Sequence, residues 1–330
     1  MKKIRVAING FGRIGRAFYK VAKENPEIEV VAVNDLTSLE NVQYLLKYDT
    51  VYGMSAQTLD GVQYISEKDP TKLPWAKLDI DVVVESTGLF TSSDKAQAHI
   101  VAGAKRVVVS APIKDDSMSV IKGETILMGM NEDKLSTCQI SSNASCTTNA
   151  GSPLIAILDE TIGVEKALLN TVHAYTASQA IVDGPAKKDL REGRAAAMNI
   201  VPSSTGAAIA VTKVATQLVG KFDGISIRVP VVAGSIVDVT FISKKNTTTE
   251  EVNEILKKAA QDPRWKGIFT VTEEDLVSSD IVGNPHASIA DLAFTRVVDG
   301  NLVKVLAWYD NEMGYTHTLV RHVIEAGKLI

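Results

Sequence analysis

The stretch Ile4-Arg5-Val6-Ala7-Ile8-Asn9-Gly10-Phe11-Gly12-Arg13-Ile14-Gly15-Arg16 decides how the first half of this chain folds. Ile4 to Ile8 alternate as a buried strand, the glycines follow as G-x-G-x-x-G, and Arg16 to Lys23 continue as a helix. Glycines spaced this way between a strand and a helix form a dinucleotide-binding turn. The first permits the tight turn, the second lets backbone approach a pyrophosphate, and the third lets helix and strand pack closely. The N–H groups of Arg13 and Ile14 at the helix start, aided by the helix dipole, suit a diphosphate. The side chains of Arg13 and Arg16 read equally well as solvated charges. Asp35 lies 20 residues after Gly15, where the apolar run Ile28 to Val33 ends. A carboxylate there accepts hydrogen bonds from ribose hydroxyls and repels a 2′-phosphate, so the pattern predicts NAD rather than NADP.

The rest of the first half keeps the same rhythm. Leu39 to Tyr48 and Ser93 to Ala102 carry helical spacing, and Ile80 to Val84 and Arg106 to Val109 are near-continuous apolar strands. Strands apolar on both faces, alternating with helices, predict an α/β, Rossmann-type doubly wound parallel sheet. After about residue 147 the texture changes. Longer strands are expected at Ala167 to Val172, Ile225 to Val229, Ile236 to Ser243 and Leu302 to Trp308. Between them lie a polar loop from about 176 to 200 and a helix from Glu250 to Ala260. Fewer helices between strands point to an α+β catalytic domain with a mostly antiparallel sheet. The expected division is residues 1–147 for the dinucleotide domain and 148–314 for the second. A C-terminal helix at about 315–330 is expected to return to the first.

At 330 residues there is room for two cores. A net charge of −4 gives no reason to expect nucleic acid or membrane as a partner. Two cysteines cannot build a disulfide framework, which favours a reducing compartment. The N-terminus runs straight into a strand without a cleavable apolar segment, and no apolar run approaches the ~18–20 residues that span a bilayer. A cytoplasmic protein is expected, and no metal site.

Cys146 stands in Ser142-Asn-Ala-Ser-Cys-Thr-Thr-Asn149, among small hydroxyl and amide side chains that leave the sulfur accessible. Cys138, between Thr137 and Gln139, reads as an inert thiol at the start of a strand. A nucleophilic cysteine needs a helix N-terminus or an imidazole beside it. Either Ser152-Pro153 opens a helix, or the helix begins at Cys146 and contains Pro153; the pattern leaves both open. Of the five histidines, His173 is the best candidate for a base, because it closes the strand Ala167 to Val172 where a loop begins.

Taken with Asn9–Arg16 and Asn34-Asp35, the later motifs resemble those of one known enzyme family. They are the cysteine octet, His173-Ala-Tyr-Thr176, Ser203-Ser-Thr-Gly-Ala-Ala208, Arg228-Val-Pro and Trp308-Tyr-Asp-Asn-Glu-Met-Gly-Tyr315. The family is the phosphorylating glyceraldehyde-3-phosphate dehydrogenases, and the similarity runs along essentially the whole chain. The resemblance implies oxidation of D-glyceraldehyde 3-phosphate through a thiohemiacetal and thioester on Cys146, with His173 handling protons, NAD as cofactor, and inorganic phosphate releasing 1,3-bisphosphoglycerate. It assigns Thr176 and Arg228 to the substrate's phosphate, and Ser145, Thr147, Arg194, Thr205 and Gly206 to the incoming one. It places Asn311 and Tyr315 at the nicotinamide, Lys68 near the adenine ribose and Ser110 on the nicotinamide side. It further implies a homotetramer. Ala150, Ala174, Ala177-Ser178 and Ile209 depart from common family residues, and the loop Asp183-Gly-Pro-Ala-Lys-Lys-Asp189 is close to the NAD-type loop without matching it. Erythrose-4-phosphate dehydrogenase shares the cysteine motif but tends to lose the counterparts of Thr176 and Ser204-Thr-Gly206. A non-enzymatic NAD-binding protein is disfavoured by the presence of both Cys146 and His173.

Overall fold

The computed structural model describes residues 2–115, 118–186 and 189–330; Lys187 and Lys188 of the polar loop lie outside the described residues. The chain divides into two compact units, Met1–Ser145 with Thr316–Ile330, and Cys146–Tyr315.

In the first unit β1 (Ile4–Asn9), α1 (Arg13–Glu24), β2 (Ile28–Asn34) and α2 (Leu39–Lys47) come first. The short pair β3 (Tyr48–Asp49) and β4 (Gly53–Met54) follows, then β5 (Gln63–Ile65), β6 (Val82–Glu85), α3 (Ser93–Val101), β7 (Arg106–Val109), β8 (Glu124–Thr125) and β9 (Ile140–Ser142). The main sheet has the order β5-β2-β1-β6-β7-β9-β8, and every pairing is parallel. The doubly wound sheet is as expected. Ala7, Ala32, Val83, Val107 and Val109 share one core cluster with Trp75 and Ile80, which is why these strands read as continuous apolar runs. α1 turns Phe18, Tyr19 and Ala22 inward, and α2 is opened by Ser38, whose side chain accepts from the Asn41 N–H. From β1 the chain winds to β2 and β5 on one side, then crosses to β6 and β7 on the other. The carboxyl ends of β1 and β6 therefore flank a topological switch point, where such sheets take ligands.

The second unit opens with α4 (Cys146–Thr161), β10 (Val164–Ala174), β11 (Val201–Ser204), α5 (Ala207–Thr212) and β12 (Phe222–Val229). It continues through β13 (Ser235–Ser243), α6 (Thr249–Gln261), β14 (Phe269–Thr272), β15 (Ser288–Val298) and β16 (Leu302–Tyr309). The sheet order is β11-β12-β10-β13-β16-β15-β14. β10–β12 and β14–β15 pair parallel, and the remaining pairings are antiparallel. β13 alternates cleanly, sending Val237, Val239 and Phe241 inward. α4 is buried without a break from Thr147 to Leu158, so it lies inside the unit rather than on its surface.

Several elements differ from expectation. β11, β14 and β15 were not foreseen. β11 reads Val-Pro-Ser-Ser and lies at the sheet edge, where a proline's missing donor is tolerated. β15 is interrupted by a register shift between Asp291 and Arg296 that breaks its alternation. His173 lies within β10, one residue before its end, rather than beyond the strand. Cys138 precedes β9 by two residues, at the end of a 3-10 segment, Glu132–Thr137. α4 begins at Cys146 and encloses Pro153, which decides between the two helix starts.

The last helix, α7 (Met313–Gly327), starts where Asp310 accepts hydrogen bonds from the Glu312 and Met313 N–H groups. Within the first unit, His322 of this helix meets Ser141 Oγ (2.8 Å) and Asn143 Oδ1 (3.2 Å), and Asn143 Nδ2 donates to Thr318 Oγ1 (3.2 Å). Burial pushes His322 down to about 3, in keeping with a neutral ring that donates from one nitrogen and accepts at the other. Among the described residues no helix is long and apolar enough to cross a membrane.

Candidate active site

The glycine turn has the geometry its spacing demands. Gly10 has φ +92°, and a Cβ there would lie 2.7 Å from the Thr87 amide nitrogen. A Cβ on Gly15 would lie 2.2 Å from the Gly10 carbonyl oxygen. A Cβ on Gly12 would meet nothing within 4 Å, and α1 starts behind it with no side-chain cap. An open approach to uncapped helix N–H groups fits a diphosphate.

Asp35 closes on this turn: its carboxylate accepts from Phe11 N (2.7 Å) and Thr37 N (2.9 Å). Burial acts to raise its pKa, but hydrogen bonds from Thr37 and Phe11, with the Arg16 guanidinium, outweigh it and hold the carboxyl below its usual range. Arg13 and Arg16 are not simply solvated. Arg13 pairs with Asp49 (3.2 Å), and Arg16 donates to the Phe11 carbonyl (2.9 Å). Ser110 follows β7, with its N–H on the Glu85 carbonyl, and Lys68 is exposed just past β5. All these residues belong to the first unit.

In the second unit Cys146 is the first residue of α4, at the positive end of the helix dipole. Its Sγ lies 3.3 Å from His173 Nε2. His173 and Arg228 are register partners on the parallel strands β10 and β12, which carries the guanidinium to the imidazole. Nδ1 of His173 is 2.6 Å from the Ala174 carbonyl and 2.6 Å from Arg228 Nη1. One ring hydrogen serves only one of these contacts. With the hydrogen on Nδ1 it goes to Ala174, and Nε2 presents a lone pair to sulfur. With Arg228 donating to Nδ1, the hydrogen sits on Nε2 and points at sulfur. Burial, then Arg228, pushes His173 down to about 3 against the pull of the Ala174 carbonyl. Burial also pushes the Cys146 thiol up, while Arg228 and hydrogen bonds from Thr147 pull it down. Cys138 is likewise raised by burial first and then by Glu124, and its sulfur meets the Lys134 carbonyl rather than an imidazole.

Beside the pair lies a set of hydroxyls of which the sequence reading named only Thr147. Tyr309 Oη sits between Thr147 Oγ1 (2.9 Å) and Thr171 Oγ1 (2.7 Å), and Thr171 donates onward to the Ile236 carbonyl (3.1 Å). The Tyr309 ring meets His173 edge to face at 5.9 Å. Ser235 Oγ accepts from Ala174 N (3.1 Å) and donates to Asn311 Oδ1 (3.0 Å), so it links the His173 strand to the Asn311 side chain. Tyr309 belongs to the quoted Trp308–Tyr315 motif; Thr171 and Ser235 carry no local signal.

Direct contacts join Cys146, Thr147, His173 and Arg228. Other expected site residues make their contacts elsewhere. The Thr176 hydroxyl meets Ser178 Oγ (3.1 Å), Arg194 is exposed and paired with Asp183 (2.8 Å), and Thr205 Oγ1 accepts from Ala207 N. Gly206 is the residue before α5, with open space where a Cβ would be. Ser145 is partly exposed ahead of the nucleophile, and Tyr315 is buried.

Comparison with known proteins bears on the same two units. The family model for the glyceraldehyde 3-phosphate dehydrogenase NAD binding domain matches residues 4–93, and that for the C-terminal domain matches residues 145–311. The chain is 47% identical to a glyceraldehyde-3-phosphate dehydrogenase of Streptomyces coelicolor, over 98% of both chains. The chain belongs to the glyceraldehyde-3-phosphate dehydrogenase family. Similar enzymes of that name are found in Borreliella burgdorferi, at 48% identity over 96% of this chain and 98% of the relative. The one in Mycolicibacterium smegmatis is 46% identical over 98% and 99%. As a member of the glyceraldehyde-3-phosphate dehydrogenase family, the chain is an NAD-dependent oxidoreductase, and NAD is its cofactor.

Proposed function

We propose that the chain converts D-glyceraldehyde 3-phosphate, NAD and inorganic phosphate to 1,3-bisphosphoglycerate and NADH, with Cys146 as nucleophile and His173 as acid and base. The observation that carries this reading is the 3.3 Å approach of Cys146 Sγ to His173 Nε2 at the start of a helix. Sulfur attacks the aldehyde carbon while Nε2 takes the thiol proton, and the carbonyl oxygen is protonated to give a thiohemiacetal. When bound, the nicotinamide supplies the hydride acceptor. His173 removes the hydroxyl proton as C1 is oxidised, which leaves a thioester. A phosphate oxygen then attacks the acyl carbon, and the thiolate leaves.

Arg228 is proposed to bind the substrate's phosphate. Its Nε is buried with no partner among the described residues, and a guanidinium in that state suits an anion. Thr176 is proposed to join it. Ser145, Thr147, Arg194, Thr205 and Gly206 are proposed for the incoming phosphate. For Arg194 this role requires that it leave Asp183, and for Thr147 it rests on the backbone N–H, since the hydroxyl is turned to Tyr309. Gly10, Gly12, Arg13, Ile14, Gly15, Asp35 and Lys68 are proposed for the adenosine diphosphate portion, and Ser110 for the nicotinamide side. Asn311 and Tyr315 are proposed for the carboxamide, and with Oδ1 held by Ser235 the Asn311 amide N–H₂ is left to donate.

The proposal extends to a homotetramer and to the cytoplasm. Exposed Leu168, Ile209 and Val219 line a groove of about 710 Å³ in the second unit, an apolar surface suited to a second copy. Absorbance at 340 nm tests the reaction. NADH should accumulate over many turnovers only when phosphate or arsenate accompanies the triose phosphate, and turnover indifferent to that anion would reject the scheme.

A further inference from the structure

Below the glycine turn runs a chain of buried polar side chains for which the reaction has no direct use. β1, β2 and β6 end in Asn9, Asn34 and Glu85, all almost fully buried. The Glu85 carboxylate collects four donors. Oε2 accepts from Asn9 Nδ2 (2.6 Å) and faces His99 Nε2 (3.0 Å), while Oε1 accepts from Thr87 N (2.8 Å) and from the Thr87 hydroxyl. Trp75 Nε1 donates to His99 Nδ1 (3.1 Å). An indole N–H only donates, so Nδ1 accepts and the ring hydrogen sits on Nε2, aimed at Glu85.

The polarity then runs on through amides. Because Glu85 only accepts, Asn9 turns its nitrogen to it and leaves Oδ1 to accept from Asn34 Nδ2 (2.7 Å). Asn34 in turn grips the Glu67 backbone, donating to its carbonyl and accepting its N–H, both at 2.9 Å. Each end of this chain adjoins a residue proposed to hold the dinucleotide. Gly10 follows Asn9, Asp35 follows Asn34, Lys68 follows Glu67, and Thr87 N lies 2.7 Å from where a Gly10 Cβ would be. Packing alone does not require a carboxylate here, since an apolar side chain fills a sheet centre without the desolvation cost.

We propose that Glu85 is a positioning residue for the dinucleotide site, setting the donor direction along Asn9 and Asn34 that holds the glycine turn and Asp35 in register. The proposal rests on the reading of Gly10–Gly15 and Asp35 as that site. Glu85→Gln keeps the shape and reverses the polarity at one oxygen, so an N–H₂ meets converging donors and the amides downstream lose their order. The KM for NAD should rise five- to fiftyfold, kcat at saturating NAD should stay within twofold, and the NAD over NADP preference should narrow. Asn9→Asp added to Glu85→Gln restores one acceptor opposite the new donor, with the His99 Nε2–H still facing it, and should recover part of the KM.

A folded Glu85→Gln enzyme whose KM for NAD stays within twofold overturns the proposal. Should that variant fail to fold, Thr87→Val removes a single donor and should raise the KM at least twofold; an unchanged value there overturns it equally. Asp35→Gly measured in parallel separates the two readings. If it leaves the KM and the cofactor ratio unmoved, the dinucleotide site itself is misassigned; if it alone shifts them, only the role of Glu85 falls.

Discussion

Gly15→Ala and Gly12→Ala should both weaken NAD binding, but only the first should strain the fold, although the two glycines lie three residues apart. At Gly15 a new Cβ falls 2.2 Å from the Gly10 carbonyl oxygen, so reaching even a 3.0 Å contact moves backbone by ~0.8 Å (3.0 − 2.2). That carbonyl also accepts from Ser86 Oγ at 2.7 Å, so the shift strains this bond. Overpacking of this kind costs about 1–3 kcal/mol. Better helix propensity returns about 1 kcal/mol. The net loss of about 0–2 kcal/mol corresponds to a melting temperature lower by roughly 0–8 °C in a unit of this size. Affinity should suffer more. Amides displaced from the diphosphate forfeit charge-assisted hydrogen bonds of about 1.5–3 kcal/mol, or roughly ten- to hundredfold in Kd for NAD. At Gly12 the Cβ meets nothing within 4 Å, so the melting point should hold within ~2 °C. The methyl still enters the open approach to the helix N–H groups, and NAD binding should weaken at least tenfold. Thermal melts and NAD titrations on both variants decide the matter. Normal NAD affinity in either variant would refute the placement of the diphosphate on this turn.

Cys146→Ala should abolish NADH formation while leaving the Kd for NAD within about threefold, because the glycine turn belongs to the other unit; residual turnover above background would remove the nucleophile assignment. Asp35→Gly should narrow the NAD over NADP ratio about tenfold or more and also raise the KM for NAD, since the carboxylate holds Phe11 N as well as the expected ribose; competing steady-state measurements with both cofactors check this. Arg228→Leu removes a positive charge that lowers the pKa of both Cys146 and His173, so both pKa values should rise. Iodoacetamide alkylation of Cys146 should then slow several-fold at neutral pH with its midpoint at higher pH, and a midpoint that stays put or moves down contradicts the assigned electrostatics.

Where sequence and structure agree, the residues themselves explain it. Ile4 to Gly15 is legible because one local pattern fixes strand, turn and helix, and Gly15 has no room for any other side chain. Cys146 stands out in the sequence for its small polar neighbours, although Thr147, Thr148 and Asn149 prove to be buried. The helix start at Cys146 was not, since Pro153 offers an equally good local start; burial of Thr147 to Leu158 settles it, and burial is a property of the whole unit. β15 escaped notice because its bulge destroys the alternation that marks a strand. Tyr309, Thr171 and Ser235 come together only through strand pairing, β10 to β13 and β13 to β16, which no local spacing encodes. Arg228 was read as a phosphate ligand, and its contact with His173 follows from a register that becomes visible only in the sheet.

The start of α4 has a consequence for how the protein fails. The reactive sulfur sits on the first residue of a helix whose next twelve residues are the interior of the second unit. The thiol therefore has no hinge of its own, and heating should not disarm it ahead of the surrounding core. Inactivation on warming should follow the collapse of that unit as a whole, and gains in thermal endurance engineered around Leu154, Ile155 or Leu158 should lengthen the working life of the catalyst without touching its chemistry.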